Sequence, residues 1–101
     1  MDPPVIIKVY FIQPDKGTRH FSLDSGNLIT DSSIPGVSNG DHLLFFNDIN
    51  LRGYGDDQLM LISGRVLPKK LVSITVLKAE NNHPEYLGYL LNLIAWTTDV
   101  Q

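Results

Sequence analysis

Three histidines, His20, His42 and His83, are the side chains best suited to moving protons near neutral pH. Their spacing contains neither H-x-x-x-H nor H-E-x-x-H, so nothing sets two of them one helical turn apart around a metal ion. Were Thr18–Asp24 and His42–Asn47 strands of one sheet, His20 and His42 could face each other with Asp24 or Asp41 nearby. That arrangement suits general acid–base work in a small hydrolase or lyase. Solvent-facing strand positions for His20 and His42, and a helix cap for His83, are the simpler expectation. The chain has no cysteine, which excludes thiol nucleophiles, thiolate zinc sites and disulfides.

Gly36-Val37-Ser38-Asn39-Gly40 fits the G-x-S-x-G pattern of a nucleophile elbow, and Asp48, Asp56 or Asp57 and then His83 follow in Ser–acid–His order. An elbow needs a strand before it and a helix after it. Here Pro35-Gly36 turns the chain ahead of the motif and His42–Asn47 behind it reads as a strand, so a glycine-rich loop is expected. Asp48-x-Asn50-x-Arg52-Gly53 begins like a calcium loop, but Arg52 stands where an oxygen ligand belongs and Leu59 where the closing glutamate would. No phosphate-cradling glycine motif is present. Arg65, Lys69 and Lys70 form the only basic cluster and suit a solvated strand end. No cofactor and no metal are expected.

Recognition is better served by Arg52-Gly53-Tyr54-Gly55-Asp56-Asp57. Its glycines free the backbone, Tyr54 offers an amphipathic anchor, and Arg52, Asp56 and Asp57 offer charge specificity. Arg52, Tyr54, Asp56 and Asp57 are therefore the candidate binding residues.

The elements that must position these residues are mostly strands. Val5–Gln13 is β-branched and aromatic and is bounded by prolines. Apolar residues on both of its faces predict a central strand. Pro14-Asp15-Lys16-Gly17 predicts a turn, with Thr18–Asp24 returning beside the first strand as a hairpin. Leu28–Asp31 predicts a short strand. Across Ser32–Asp41, Pro35-Gly36 predicts a type II turn and Asn39-Gly40 a type I′ turn. His42–Asn47, Gln58–Ser63 and Lys70–Lys78 predict further strands, with Asp48–Asp57 irregular.

His83–Thr98 predicts a helix. Pro84 suits the first helical position and Glu85 the first turn. Tyr86, Leu90, Leu93 and Ile94 form an apolar stripe widened by Leu87, Leu91, Tyr89 and Trp96, leaving a narrow face of Gly88, Asn92 and Ala95. Either this helix lies in a groove of its own sheet, or its small residues admit another backbone. The second alternative makes Gly88, Asn92, Ala95 and Trp96 candidate interface residues. Its uncharged run, Tyr86–Thr98, is shorter than the roughly 20 residues a membrane span needs.

Together these elements predict one α+β domain over residues 1–101. It holds a twisted, mostly antiparallel five- or six-stranded sheet, open to curling into a half-barrel, packed by one C-terminal helix. At 43% hydrophobic and 19% charged, the chain has a globular rather than a disordered composition. A net charge of −3 disfavours phosphate neutralisation and hence non-specific nucleic-acid binding. The opening Met1–Pro4 lacks the basic region and apolar stretch of a secretory signal, so the cytoplasm is the expected compartment.

In size and composition the chain is similar to small, acidic, cysteine-free α+β domains found among bacterial accessory proteins. Without a catalytic signature, and with an apolar helix that needs covering, the first expectation is a non-enzymatic interaction protein. It would be homodimeric and would bind another macromolecule, with no nucleic-acid or membrane partner. A small apolar-ligand binding domain is the alternative, with a pocket reaching Tyr10, Tyr86, Tyr89 or Trp96. A small hydrolase or lyase using His20 or His42 is the second.

Overall fold

A computed structural model describes residues 5–79. The helix expected over His83–Thr98, with Gly88, Asn92, Ala95 and Trp96, lies outside the described residues. What is described is an α+β fold with antiparallel sheet and one helix. Strands β1 (Ile6–Ile12), β2 (Ser22–Leu23), β3 (Ile29–Thr30), β4 (His42–Phe46) and β5 (Ile49–Asn50) are followed by α1 (Asp56–Ser63) and β6 (Leu71–Leu77). They divide into a four-stranded sheet of order β1-β6-β4-β5 and a separate two-stranded ladder, β2-β3.

The Val5–Gln13 run forms β1, but among the described residues it stands at the sheet's edge rather than its centre. Its partner is β6, in the register Ile6↔Leu77 through Ile12↔Leu71. Thr18–Asp24 does not return as a hairpin beside it. Only Ser22 and Leu23 are extended, and they pair with Thr30 and Ile29. The β-branched Leu71–Leu77 strand takes the place beside β1 because it can bury Val72, Ile74 and Val76 as a continuous row.

Gln58–Ser63 is helical, not extended. An apolar run of this length is ambiguous between strand and helix. Here Gly55 supplies an extended N-cap, Asp56 and Asp57 place negative charge in the first turn, and the Gly64 N–H closes back on the Met60 and Ile62 carbonyls. Leu59 is buried and Ile62 packs against the core, while Met60 and Leu61 face solvent. Asp56 and Asp57 therefore belong to a helix start rather than to a loop.

Turn chemistry departs from expectation once. Gly36 and Gly40 take positive φ, but Asn39 does not. The two consecutive positive-φ residues that a type I′ turn requires are Asn47 (φ 48°) and Asp48 (φ 64°). They close the β4–β5 hairpin, in which Phe46 faces Ile49.

The core lies on one face of the large sheet. Val72, Ile74, Val76, Leu43 and Phe46 meet Phe21, Leu23, Ile29, Leu51 and Leu59, and Ile7, Val9 and Phe11 pack at its edge. A bulge at Leu44 shifts the β4–β6 register between Leu43 and Phe45. Cross-strand partners define the second face: Ile6, Lys8, Tyr10 and Ile12 of β1 beside Leu77, Thr75, Ser73 and Leu71 of β6. His42 continues that face next to Leu77, and Phe45 next to Thr75.

Candidate interaction surfaces

The expected recognition loop is split by the helix start. Asp56 is held by Arg19 through two hydrogen bonds of 2.9 and 2.6 Å, and it also accepts the Leu23 N–H at 3.0 Å. The paired guanidinium keeps the Asp56 carboxyl below its ordinary pKa of 3.8, with the Leu23 N–H assisting against partial burial. This carboxylate fastens the β1–β2 connection to the helix. Asp57, one residue on, is exposed. Tyr54 is 52% exposed, with its N–H bonded to the Leu51 carbonyl at 3.1 Å. Gly53 takes φ 77°, and the half-buried Arg52 donates its N–H to Asn50 Oδ1 at 3.1 Å. Of the four predicted binding residues, then, Tyr54 and Asp57 face solvent, Arg52 is intermediate and Asp56 is engaged within the fold.

A groove of about 560 Å³ opens between the β1–β2 connection and the chain leaving α1. Pro14, Met60, Val66, Leu67 and Pro68 give it an apolar lining, with Arg19 at its edge. Gln13 fixes that edge: its side-chain NH₂ donates to the Ser63 carbonyl at 2.9 Å, and its carbonyl accepts the Lys69 N–H at 2.9 Å. Neither the groove nor its apolar residues were legible as a site. The signal would have been two proline-bearing connections, Pro14–Gly17 and Val66–Lys69, both meeting one helix.

The histidines occupy unlike settings. His20 is not in a strand. Its ring packs edge-on to Phe11 with centroids 5.7 Å apart, and its Nδ1 lies 3.3 Å from Ser33 Oγ. The cavity beside it is about 50 Å³, room for a water molecule rather than a substrate. His42 is buried in β4, and neither ring nitrogen has a hydrogen-bond partner among the described residues. Burial pushes its pKa below 6.5, and the Asp24 charge opposes this only in part. The pairing of the two rings across one sheet does not occur, because His20 lies outside the strands. Ser38 is exposed and gives its N–H to Asp41 Oδ2 at 2.9 Å, so the elbow-like motif is a loop folded onto a buried carboxylate. Among the described residues no three of His, Cys, Asp or Glu cluster to hold a metal ion, and no helix is long and apolar enough to cross a membrane.

Four of the exposed large apolar side chains lie along the second face of the sheet. Ile6 is 41% exposed, Tyr10 61%, Ile12 54% and Leu71 64%, with Ile12 and Leu71 direct cross-strand partners. Lys8 crosses this face to Asp48, 3.0 Å away, and stands over the Tyr10 ring at 5.5 Å. No protein-family model and no curated protein matches the chain.

Proposed function

We propose that this chain is a non-enzymatic, homodimeric interaction protein that binds another macromolecule in the cytoplasm. The observation that carries it is the row Ile6, Tyr10, Ile12 and Leu71, with large apolar side chains turned to water beside a well-packed opposite face. Scattered apolar residues on a surface are ordinary, but neighbouring ones on one sheet face mark a contact surface. Tyr10 and the Lys8–Asp48 pair beside it supply an amphipathic anchor and fixed charges of the kind interfaces favour.

Light scattering over a dilution series tests the first half. The expected mass is twice 11.3 kDa, and 11.3 kDa at every concentration would overturn the homodimer. Affinity capture tests the second half, with Leu71→Asp as the control that spoils the face at an exposed position. The native chain should enrich a protein that the variant does not; equal enrichment by both would remove this face as the contact surface.

The groove beside Met60 and Leu67 favours a second reading, a small apolar ligand. At about 560 Å³ it falls within the roughly 300–1,000 Å³ typical of ligand sites. A bound apolar species in native mass spectra, lost on Met60→Glu, would support this reading; none in the native chain would count against it.

A further inference from the structure

Among the described residues, β1 is an edge strand whose outer edge is unguarded. Among the described residues it pairs only with β6. It runs for seven residues, with no proline and no bulge in its register with β6. Native sheets usually blunt such an edge with charge, proline or a bulge. The one charge present, Lys8, leans over its own sheet to Asp48 at 3.0 Å, so its head is held on the sheet's face instead of guarding the edge.

The ladder fixes which main-chain groups that edge presents. The Val5 carbonyl accepts from Lys78 at 2.9 Å, and the Gln13 N–H donates to the Lys70 carbonyl at 2.8 Å. Hydrogen-bonded pairs alternate along an antiparallel ladder, so the odd-numbered residues turn their main-chain groups toward β6. Ile6, Lys8, Tyr10 and Ile12 turn theirs outward, each with one N–H and one carbonyl.

We propose that β1 is the seam of a two-fold homodimer, pairing antiparallel with β1 of a second copy about Val9, so that two four-stranded sheets continue as one. The inference rests on the homodimeric part of the function proposed above and adds where the copies meet. With Val9 on the axis, Ile6 faces Ile12 of the second copy and Lys8 faces its Tyr10, and the axis repeats both pairings. All four outward residues of each strand are then matched. Apolar meets apolar, and each Lys8 stem lies beside an aromatic ring. Moving the axis to Lys8 sets Lys8 against Lys8 and leaves Ile12 unmatched, while moving it to Tyr10 leaves Ile6 unmatched. The strand is self-complementary in one register, which is what an isologous contact requires. The same pairing would cover Ile7, Val9 and Phe11, which the core leaves half-buried at the sheet edge.

Tyr10→Pro tests the seam. The Tyr10 N–H points away from β6, so proline there removes no bond of the parent ladder. It deletes two hydrogen bonds across the axis, and dimer affinity should fall at least about a hundredfold, roughly tenfold for each bond lost. The circular dichroism spectrum should stay unchanged. A variant dimer as tight as the native one would overturn the seam while leaving the homodimer standing; a native chain that is monomeric throughout would overturn both.

Should Tyr10→Pro fail to fold, Tyr10→Glu and Tyr10→Lys decide. In the Val9-centred register Lys8 meets the new side chain of the other copy, so the glutamate variant should associate at least about tenfold more tightly than the lysine variant. Equal affinities would overturn the register. Amide exchange closes the test. Protection of Ile6, Lys8, Tyr10 and Ile12 that is lost on dilution supports the seam. The same protection in a monomer would assign the edge to the chain's own residues, and no protection in a dimer would place the contact elsewhere.

Discussion

Two carboxylates each join distant pieces of this chain, and their surroundings make them unequal. Asp41 is fully buried. It accepts the Ser38 N–H at 2.9 Å, the Lys78 ammonium at 2.7 Å and the Ala79 N–H at 2.9 Å, while Lys78 also donates to the Gly36 carbonyl at 2.9 Å. These bonds fasten the 32–41 loop to the end of β6. Asp56 has a comparable set of donors in Arg19 and Leu23, but its side chain is 27% exposed. At Asp56 water stands ready to replace a lost partner, and at Asp41 it does not. The number of bonds a carboxylate makes matters less than what is left behind without it.

The largest effect should come from Asp41→Ala. Removing the acid strands an ammonium that is only 14% exposed together with two main-chain donors, and breaking a buried pair from one side costs about 3–5 kcal/mol. Against a net stability of roughly 5–15 kcal/mol, urea unfolding should show a severely weakened chain. Adding Lys78→Met should restore part of the loss, because much of the penalty is the unpaired charge itself. A single variant within about 1 kcal/mol of the native chain would show that Asp41 is no harder to lose than Asp56.

Asp56→Ala should cost less, about 1–2 kcal/mol, since a partly exposed bidentate pair lies between a surface ion pair and a buried one. The pH dependence sharpens the point. Arg19 first, and the Leu23 N–H after it, hold the folded carboxyl below 3.8, so its contribution is present above pH 3.8 and is lost as pH falls through the folded value. Urea midpoints of native and Asp56→Ala chains should therefore differ at pH 6 and converge as pH falls from 3.8 through the folded value. A gap that persists in acid would mean the loss is one of packing.

Much of the sheet was legible in the sequence. The β-branched and aromatic runs of β1, β4 and β6 declare themselves, because strand chemistry there agrees with burial. The place of β1 was not legible. Ile6, Tyr10 and Ile12 make its second face look buried, and apolarity alone does not distinguish a covered face from an exposed one. Gln58–Ser63 misled for a related reason: as a short apolar run it suits strand or helix, and the deciding features were Asp56 and Asp57 ahead of it. Reading those two acids as recognition residues hid their use as a first helical turn. The role of Asp41 was out of reach, since Lys78 lies 37 residues away and only the fold brings them together.

The smallest effect concerns His42, which extends the comparison from paired acids to an unpartnered base. Both ring nitrogens are buried without a partner among the described residues, and desolvation holds the folded pKa below 6.5. Below pH 6.5 the unfolded chain takes up a proton that the folded chain resists, so this residue erodes stability as the solution is acidified. His42→Leu puts an apolar side chain of similar size in its place and removes both orphaned nitrogens, which should be neutral or stabilising by roughly 1 kcal/mol at pH 7.5. The variant's advantage should widen at pH 5, where the native chain alone carries the penalty. The acids contribute equally to both chains, so the difference between their urea midpoints isolates the ring. If that difference is the same at both pH values, the ring is charged and partnered in the folded state, and His42 belongs with Asp41 as a member of a polar network.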